Sequence, residues 1–400
     1  MASTDMTADT ASGRQISICF VTHTGELYGA NKSMLSTIEL LRKRGVRVGV
    51  LAPCDGPLCA RLSMMEIPYF QLTYCWWMEP EIVSAHWLVR LTLQIQKRIH
   101  CIKKARLNRR AVGLASNWLN RNKFSVVWSN SVVISFGADL AEANELDHVW
   151  HFKEFGDLDF GLIFDCGKNR ALKRMQTSRL SIAMSHAIKR HFTNENFGSS
   201  IRVVYDGLGW KENLQLWKKS EPDKLARTFA FVGFVQPAKG QDVALRALSF
   251  ILPQIPDARI IFIGGGDIDW AKALAREIGV DRNCVFVGYV DDPTDYYNKA
   301  DAVIVCSKAE GLGLVTIEAM IHGRPVIGSS TGATPELIDH QETGLLFDGT
   351  DRSLAHAMSN LASTPGMCRE LGVTARVRAI ERFSFERYDA EISKILMDLA

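Results

Sequence analysis

The sequence has no run of about 20 apolar residues of the kind that spans a bilayer. Its longest uncharged stretches, such as 124–138, are short and carry Ser and Asn. No membrane-crossing helix is expected. It also lacks a hydrophobic leader: residues 1–15 are polar, with Ser, Thr and Asp where a secretory signal needs an apolar stretch. That predicts a short flexible tail, 1–15, on a cytoplasmic protein. Nine cysteines are scattered from Cys19 to Cys368 without a single C-x-x-C pair. An odd total at such spacing signals neither a zinc site nor a disulfide framework, so reduced thiols are expected. Acid is missing from one whole region. Between Ile82 and Ala138 there is no Asp or Glu, while Arg90, Lys97, Arg98, Lys103, Lys104, Arg106, Arg109, Arg110, Arg121 and Lys123 supply ten positive charges. The chain as a whole carries only +3, so the remainder is net negative and the basic character is local, which points to a local partner.

What is present is an ordinary globular composition. Four hundred residues, 47% apolar and 23% charged, are enough for two domains and exclude disorder. From Gln15 one unit repeats: a short β-branched or apolar run, a turn, a segment of helical period, then the next run. The runs are 16–22, 46–52, 69–72, 126–129, 149–152, 180–184 and 202–205, and after a break 229–233, 259–264, 284–287, 302–306, 325–328 and 345–347. This alternation predicts an α/β chain of two Rossmann-like doubly wound domains with parallel sheets. The expected boundaries are a first domain over 16–207, a linker over 208–227, a second domain over 228–383 and a C-terminal helix over 384–400, with a return of that helix to the first domain as one option. Such sheets bind ligands at the carboxyl ends of their strands, so a cleft between the domains is where chemistry is expected.

The most informative stretch is 302–347, AVIVCSKAEGLGLVTIEAMIHGRPVIGSSTGATPELIDHQETGLLF. A buried strand ends at Cys306 and Ser307, a loop holds Glu310, Gly311 and Gly313, and a helix begins near Leu314. The glycines let the backbone approach a ligand, and the free N–H groups of the first helical turn, Gly313 to Thr316, suit a pyrophosphate. Glu318, one turn into the helix, offers an acceptor for two vicinal hydroxyls, as on a ribose, and Glu310 would meet what lies beyond the pyrophosphate. Taken alone, two glutamates eight apart read more simply as a solvated helix residue and a turn residue.

The stretch as a whole closely resembles the donor-binding core of glycosyltransferase family 4. That core has an E-G-(F/L)-G-(L/I)-x-x-x-E-A-M-A-x-G-x-P-V-I run followed by G-x-x-E and G-x-x-G-(L/F)-L. Glu310 to Leu314, Glu318 to Met320, Gly323, Pro325 to Ile327, Gly332, Glu336 and Gly344 to Leu346 stand at those positions. The resemblance covers most of 229–382 and, loosely, the N-terminal half. It implies the GT-B architecture, two Rossmann-like domains facing across a cleft, and transfer of a sugar from a nucleotide diphosphate sugar with retention of anomeric configuration. It implies no metal and no cofactor beyond the co-substrate, a UDP- or GDP-sugar. By the same resemblance Glu318 binds ribose, Glu310 touches the donor sugar, and Gly313, Leu314 and Val315 present backbone donors to the diphosphate.

Four further positions follow from it. The run FVGFVQPAKGQ (231–241) is similar to the family's V-G-R-x-x-x-x-K-G turn, in which an Arg and a Lys neutralise the leaving diphosphate; Lys239 and Gly240 match, but Phe234 stands where Arg is usual. TGELYGANKSM (24–34) resembles the G-G-A-E loop whose second glycine approaches the phosphates. Gly29 matches it, while Tyr28 and Asn31 depart from the pattern. An ordinary strand-to-helix glycine is the plain alternative. His151 sits where the family carries a histidine that contacts the donor sugar, and Gly288, Tyr289 and Val290 where backbone groups read the base. The run Gly264–Gly266 is no dinucleotide fingerprint, because G-x-G-x-x-G needs a glycine at 269 and Asp269 is there; a tight loop is expected.

The acid-free segment 82–123 reads as one or two helices broken near Gly113, with a basic face, apolar residues and nearby Trp76, Trp77 and Trp87. It suits docking on an anionic membrane surface, which would make the protein peripheral on the inner face of the cell membrane; a packed helix with a solvated basic face fits equally. No nucleic-acid module is recognisable. The function expected is a metal-independent hexosyltransferase acting on a hydroxyl of a glycan or lipid-linked acceptor, as in polysaccharide biosynthesis. The alternative is a non-catalytic sugar-nucleotide-binding regulatory or scaffold subunit at the membrane, motivated by Phe234.

Overall fold

The computed structural model describes residues 16–81, 87–193, 201–215 and 225–400, with the backbone alone for 87–96 and 98. The chain divides into two units. The first runs up to Asp206 and takes in Tyr388–Ala400; the second is Gly207–Arg387.

In the first unit the strands are β1 (Ser17–Val21), β2 (Arg47–Ala52), β3 (Tyr69–Gln71), β4 (Met78–Pro80), β5 (Val126–Ser129), β6 (Asp147–Phe152), β7 (Leu162–Phe164), β8 (Leu180–Ala183) and β9 (Ile201–Val203). Seven of them form one parallel sheet in the order β3-β2-β1-β5-β6-β8-β9. The chain lays strands outward from β1, then crosses to β5 and works outward the other way, which puts the topological switch point between β1 and β5. Strands β1 and β5 are buried along their whole length. Their uninterrupted apolar character follows from having both faces covered.

Two features differ from the sequence reading. Strands β4 and β7 pair antiparallel as a separate ribbon, with Met78 opposite Phe164; three residues each, partly exposed, carry no readable period. The basic helix Trp87–Arg121 runs without interruption through Gly113. A mid-helix glycine costs about 1 kcal/mol, and the buried stripe of Ala111, Ala115 and Leu119 around it outweighs that. The residues from Tyr388 onward pack on the first unit's helix Gly29–Lys43. The Tyr388 hydroxyl lies 2.6 Å from Thr37 Oγ1, and Arg44 makes paired bonds of 2.9 and 2.6 Å to Asp389.

The second unit holds β10 (Thr228–Val232), β11 (Arg259–Ile263), β12 (Cys284–Gly288), β13 (Ala302–Val305), β14 (Val326–Ser329) and β15 (Gly344–Phe347). They form a parallel sheet ordered β12-β11-β10-β13-β14-β15, so its switch point lies between β10 and β13. Leu245 and Leu248 from helix Gln241–Ile251 and Met358 and Leu361 from helix Asp351–Ser363 join Phe229, Phe262 and Ile304 in its core. Of the stretch read as a linker, 216–224 lies outside the described residues. The remainder belongs to this unit: Lys211–Gln215 is a short helix with Leu214 buried, and Ala226 is in the core.

Candidate active site

The loops that leave β10 and β13 flank the second unit's switch point, and each delivers one charged residue. After β10, the turn Pro237–Lys239 presents Lys239; after β13, the loop 306–313 presents Glu310. The Lys239 ammonium donates to Glu310 Oε1 at 2.6 Å, and Ser307 Oγ donates to the same oxygen at 2.6 Å. Both charged side chains are partly exposed, at 30% and 18%, so the pair sits at the rim of the sheet within reach of a ligand.

The backbone around Glu310 is clamped from both sides. Lys308 N–H donates to Ala238 O at 3.3 Å and Ala333 N–H to Glu310 O at 2.9 Å, while Thr331 Oγ1 donates to Ser307 O at 3.1 Å. Two glycines make this approach possible. A Cβ on Gly240 would lie 2.6 Å from Cys306 O, and one on Gly332 would lie 2.5 Å from Glu310 N; both residues adopt positive φ, 78° and 57°. Only glycine tolerates both the contact and the conformation.

Gly313 caps helix Leu314–Ile321, which has no acidic residue in its first turn and no side-chain cap. The first bonds within the helix are donated by Thr316 (2.9 Å) and Ile317 (3.3 Å) to Gly313 O. Thr316 is therefore not among the available amides, contrary to the sequence reading, because the first turn tightens to an i to i−3 bond. The amides of Gly313, Leu314 and Val315 precede those bonds at the positive end of the helix, where an anion is stabilised. One turn on, Glu318 Oε2 accepts from the Tyr297 hydroxyl at 2.7 Å.

The glycine run 264–266 is the tight turn expected. Val235 N–H donates to Gly265 O at 2.7 Å and Gly264 N–H to Gly288 O at 2.8 Å, tying together the ends of β10, β11 and β12. Val290 is half-buried just beyond, next to the largely exposed Tyr289. Phe234 is half exposed where the resemblance would place a cation, and the ion pair at Glu310 is made by Lys239.

In the first unit, Gly29 is exposed at the first residue of its helix. Asn31, which departs from the resembled pattern, is buried and holds the preceding loop: its Nδ2 donates to Thr24 O at 3.0 Å and Glu26 O at 2.7 Å, and its Oδ1 accepts from Thr22 Oγ1. His151 is 1% exposed near the carboxyl end of β6, and its Nε2 has no partner among the described residues. Burial, reinforced by Lys153, holds His151 well below the usual histidine range, so it is neutral.

Sequence reasoning missed the charged pair that follows. Lys153, with 1% of its side chain exposed, donates to Asp206 Oδ1 at 2.8 Å and to Ser33 Oγ at 2.5 Å. Glu154 accepts from Ser131 Oγ and, at 2.7 Å, from Val132 N–H, and burial pushes it up to about 7. The available signal was two charges interrupting the apolar run WHFKEF at a strand end.

Residues 226–364, within this second unit, match the family model of the glycosyl transferases group 1. The fold is that of the GT-B class, two Rossmann-like doubly wound α/β domains, and the second domain carries the group 1 signature. The structure of HepE from Anabaena, solved with UDP and glucose, superimposes with a TM-score of 0.74 over 95% of this chain and 99% of that one, at 21% identity. Among curated proteins, the chain is 35% identical over 167 residues to the D-inositol 3-phosphate glycosyltransferase of Rhodococcus jostii, 39% of this chain and 37% of that protein. It is 28% identical over 171 residues to the GDP-mannose-dependent alpha-(1-6)-phosphatidylinositol monomannoside mannosyltransferase of Mycolicibacterium smegmatis, 40% of this chain and 45% of that protein. The chain thus spans about half the length, or less, of these curated relatives.

Proposed function

We propose that the protein is a retaining glycosyltransferase that moves a hexosyl group from a nucleotide diphosphate sugar to an acceptor hydroxyl. The observation that carries this reading is the Lys239–Glu310 pair at the β10/β13 switch point, set beside the amides of Gly313, Leu314 and Val315. A diphosphate at those amides would receive the positive end of the helix and, from Lys239, a cation for the charge that develops as the sugar leaves. Glu310 would then be released from Lys239 to bind sugar hydroxyls, and Glu318 would take the ribose. Gly29, His151 and Val290 keep the donor roles that the resemblance implies. No general base is required if the leaving phosphate itself accepts the acceptor proton, and no metal is assigned.

The donor is proposed to be a UDP- or GDP-sugar. UDP is bound in the HepE structure, and the mycobacterial relative is named as GDP-mannose-dependent. The acceptor is proposed to be a glycan or lipid-linked hydroxyl at an anionic membrane surface on the cytoplasmic side. Helix Trp87–Arg121 supports this by exposing Ile99, Ile102, Leu107 and Leu114 beside Lys103, Arg106, Arg109 and Arg110.

The test is nucleoside diphosphate release from UDP- and GDP-sugars over a panel of acceptors, with the anomeric configuration of the product read by NMR. Glu310→Gln and Lys239→Ala are each expected to lower turnover by about 100-fold or more, the effect of removing one group that stabilises developing charge. Full activity in both variants would sink the site. Nucleotide binding without turnover on any acceptor would favour the non-catalytic subunit.

A further inference from the structure

Tyr297, on the short helix Thr294–Lys299, belongs to none of the motifs discussed above. It is 1% exposed, and its ring stacks on His322 with centroids 5.2 Å apart and planes at 23°. His322 closes the helix that carries Glu318 and is itself buried. The stack therefore fixes the phenol against the same helix whose carboxylate it bonds, 2.7 Å from Glu318 Oε2. Burial, with Glu318 beside it, holds the phenol well above the usual tyrosine range, so its hydroxyl remains a donor at any working pH.

A glutamate asked to accept from two neighbouring hydroxyls must present its carboxylate in one orientation. Free on a helix surface, it samples several rotamers and loses them on binding. A buried donor fixed to one oxygen removes that freedom beforehand, so less is lost when a ligand binds.

We infer that Tyr297 is a positioning residue: it holds the Glu318 carboxylate in the orientation that recognises the vicinal hydroxyls of a ribose, and so makes the site select ribonucleoside over deoxyribonucleoside diphosphates. This rests on the reading of Glu318 as the ribose acceptor. Tyr297 touches no substrate. Its effect reaches the nucleotide only through Glu318, so removing its hydroxyl should cost more affinity where both ribose hydroxyls are present than where the 2′-hydroxyl is missing.

The test is titration calorimetry on the full chain with two pairs, UDP against 2′-deoxy-UDP and GDP against 2′-deoxy-GDP. The wild type should prefer the ribonucleotide of whichever base it binds, and Glu318→Ala should bring the two affinities together. Tyr297→Phe is expected to weaken the ribonucleotide by about 10–100-fold, the scale of a hydrogen bond to a charged group, and to weaken the deoxyribonucleotide, which keeps its 3′-hydroxyl, by distinctly less. Adding Tyr297→Phe to Glu318→Ala should change nothing further. Equal weakening of both nucleotides by Tyr297→Phe, which a packing role or misfolding would produce, overturns the inference, as does no change in either. A preference that survives Glu318→Ala overturns the ribose reading beneath it, and with it the role of Tyr297.

Discussion

Glu154 shows what a single buried group does to the pH response. Its carboxyl is pushed up to about 7 from an ordinary 4.5 because burial outweighs the bonds from Ser131 and Val132. A raised acid holds its proton longer in the folded state than in the unfolded one, so its stabilising contribution is complete below about 4.5 and is lost as pH rises through about 7. The shift corresponds to about 3 kcal/mol. Urea unfolding of wild type and Glu154→Gln at pH 4 and pH 8 should show the stability difference changing by about that amount; a difference independent of pH would contradict it. His148 works in the opposite sense. Held at about 3 by burial between Ser129 Oγ and Ser178 Oγ, both at 2.8 Å, it is neutral in the fold, and its contribution is lost as pH falls below about 6.5 toward 3. His148→Gln should therefore flatten the acid limb of the stability curve, measured from pH 7 down to pH 4.

At the scale of elements, helix Gly29–Lys43 anchors both places where the chain enters or leaves the first unit. Ser33 shares the Lys153 ammonium with Asp206, the last residue before the second unit, and Thr37, one turn on, bonds Tyr388, the first residue after it. Thr37 Oγ1 also lies 3.0 Å from Ser33 O, which it can bond. Lys153→Met would leave Asp206 buried without its counter-charge and should cost about 3–5 kcal/mol, whereas Lys153→Met with Asp206→Leu should recover most of the loss; equilibrium unfolding of the three chains distinguishes these outcomes. In the second unit the corresponding sensitivity lies in the loop packing. Gly332→Ala places a methyl 2.5 Å from the Glu310 amide at a φ of 57°. It should both lower the melting temperature and reduce transfer, because the loop that aims Glu310 has to shift.

For the molecule as a whole, charge is distributed unevenly, and association should follow that distribution. If the basic helix meets anionic lipid, sedimentation with phosphatidylserine-containing vesicles should exceed that with phosphatidylcholine alone and fall steeply above about 0.15 M salt, where screening acts within about 8 Å. Lys103→Glu with Arg106→Glu should abolish it, and equal binding to both lipids would refute an electrostatic origin. The two-domain α/β plan was legible along the chain because each central strand, buried on both faces, writes its own apolar run, and each turn writes its glycines. The 302–347 stretch was legible for the same reason, since Glu310, Gly313 and Glu318 lie on one strand–loop–helix unit. The β4/β7 ribbon, the Lys153–Asp206 pair and the bond from Tyr297 to Glu318 were not, because each joins residues remote in the chain whose meeting depends on which strands become neighbours. Local composition and spacing thus determined the elements and the loop that bears the candidate chemistry. The order of strands in the sheets, set by packing over the whole domain, decided which side chain would hold which charge in place.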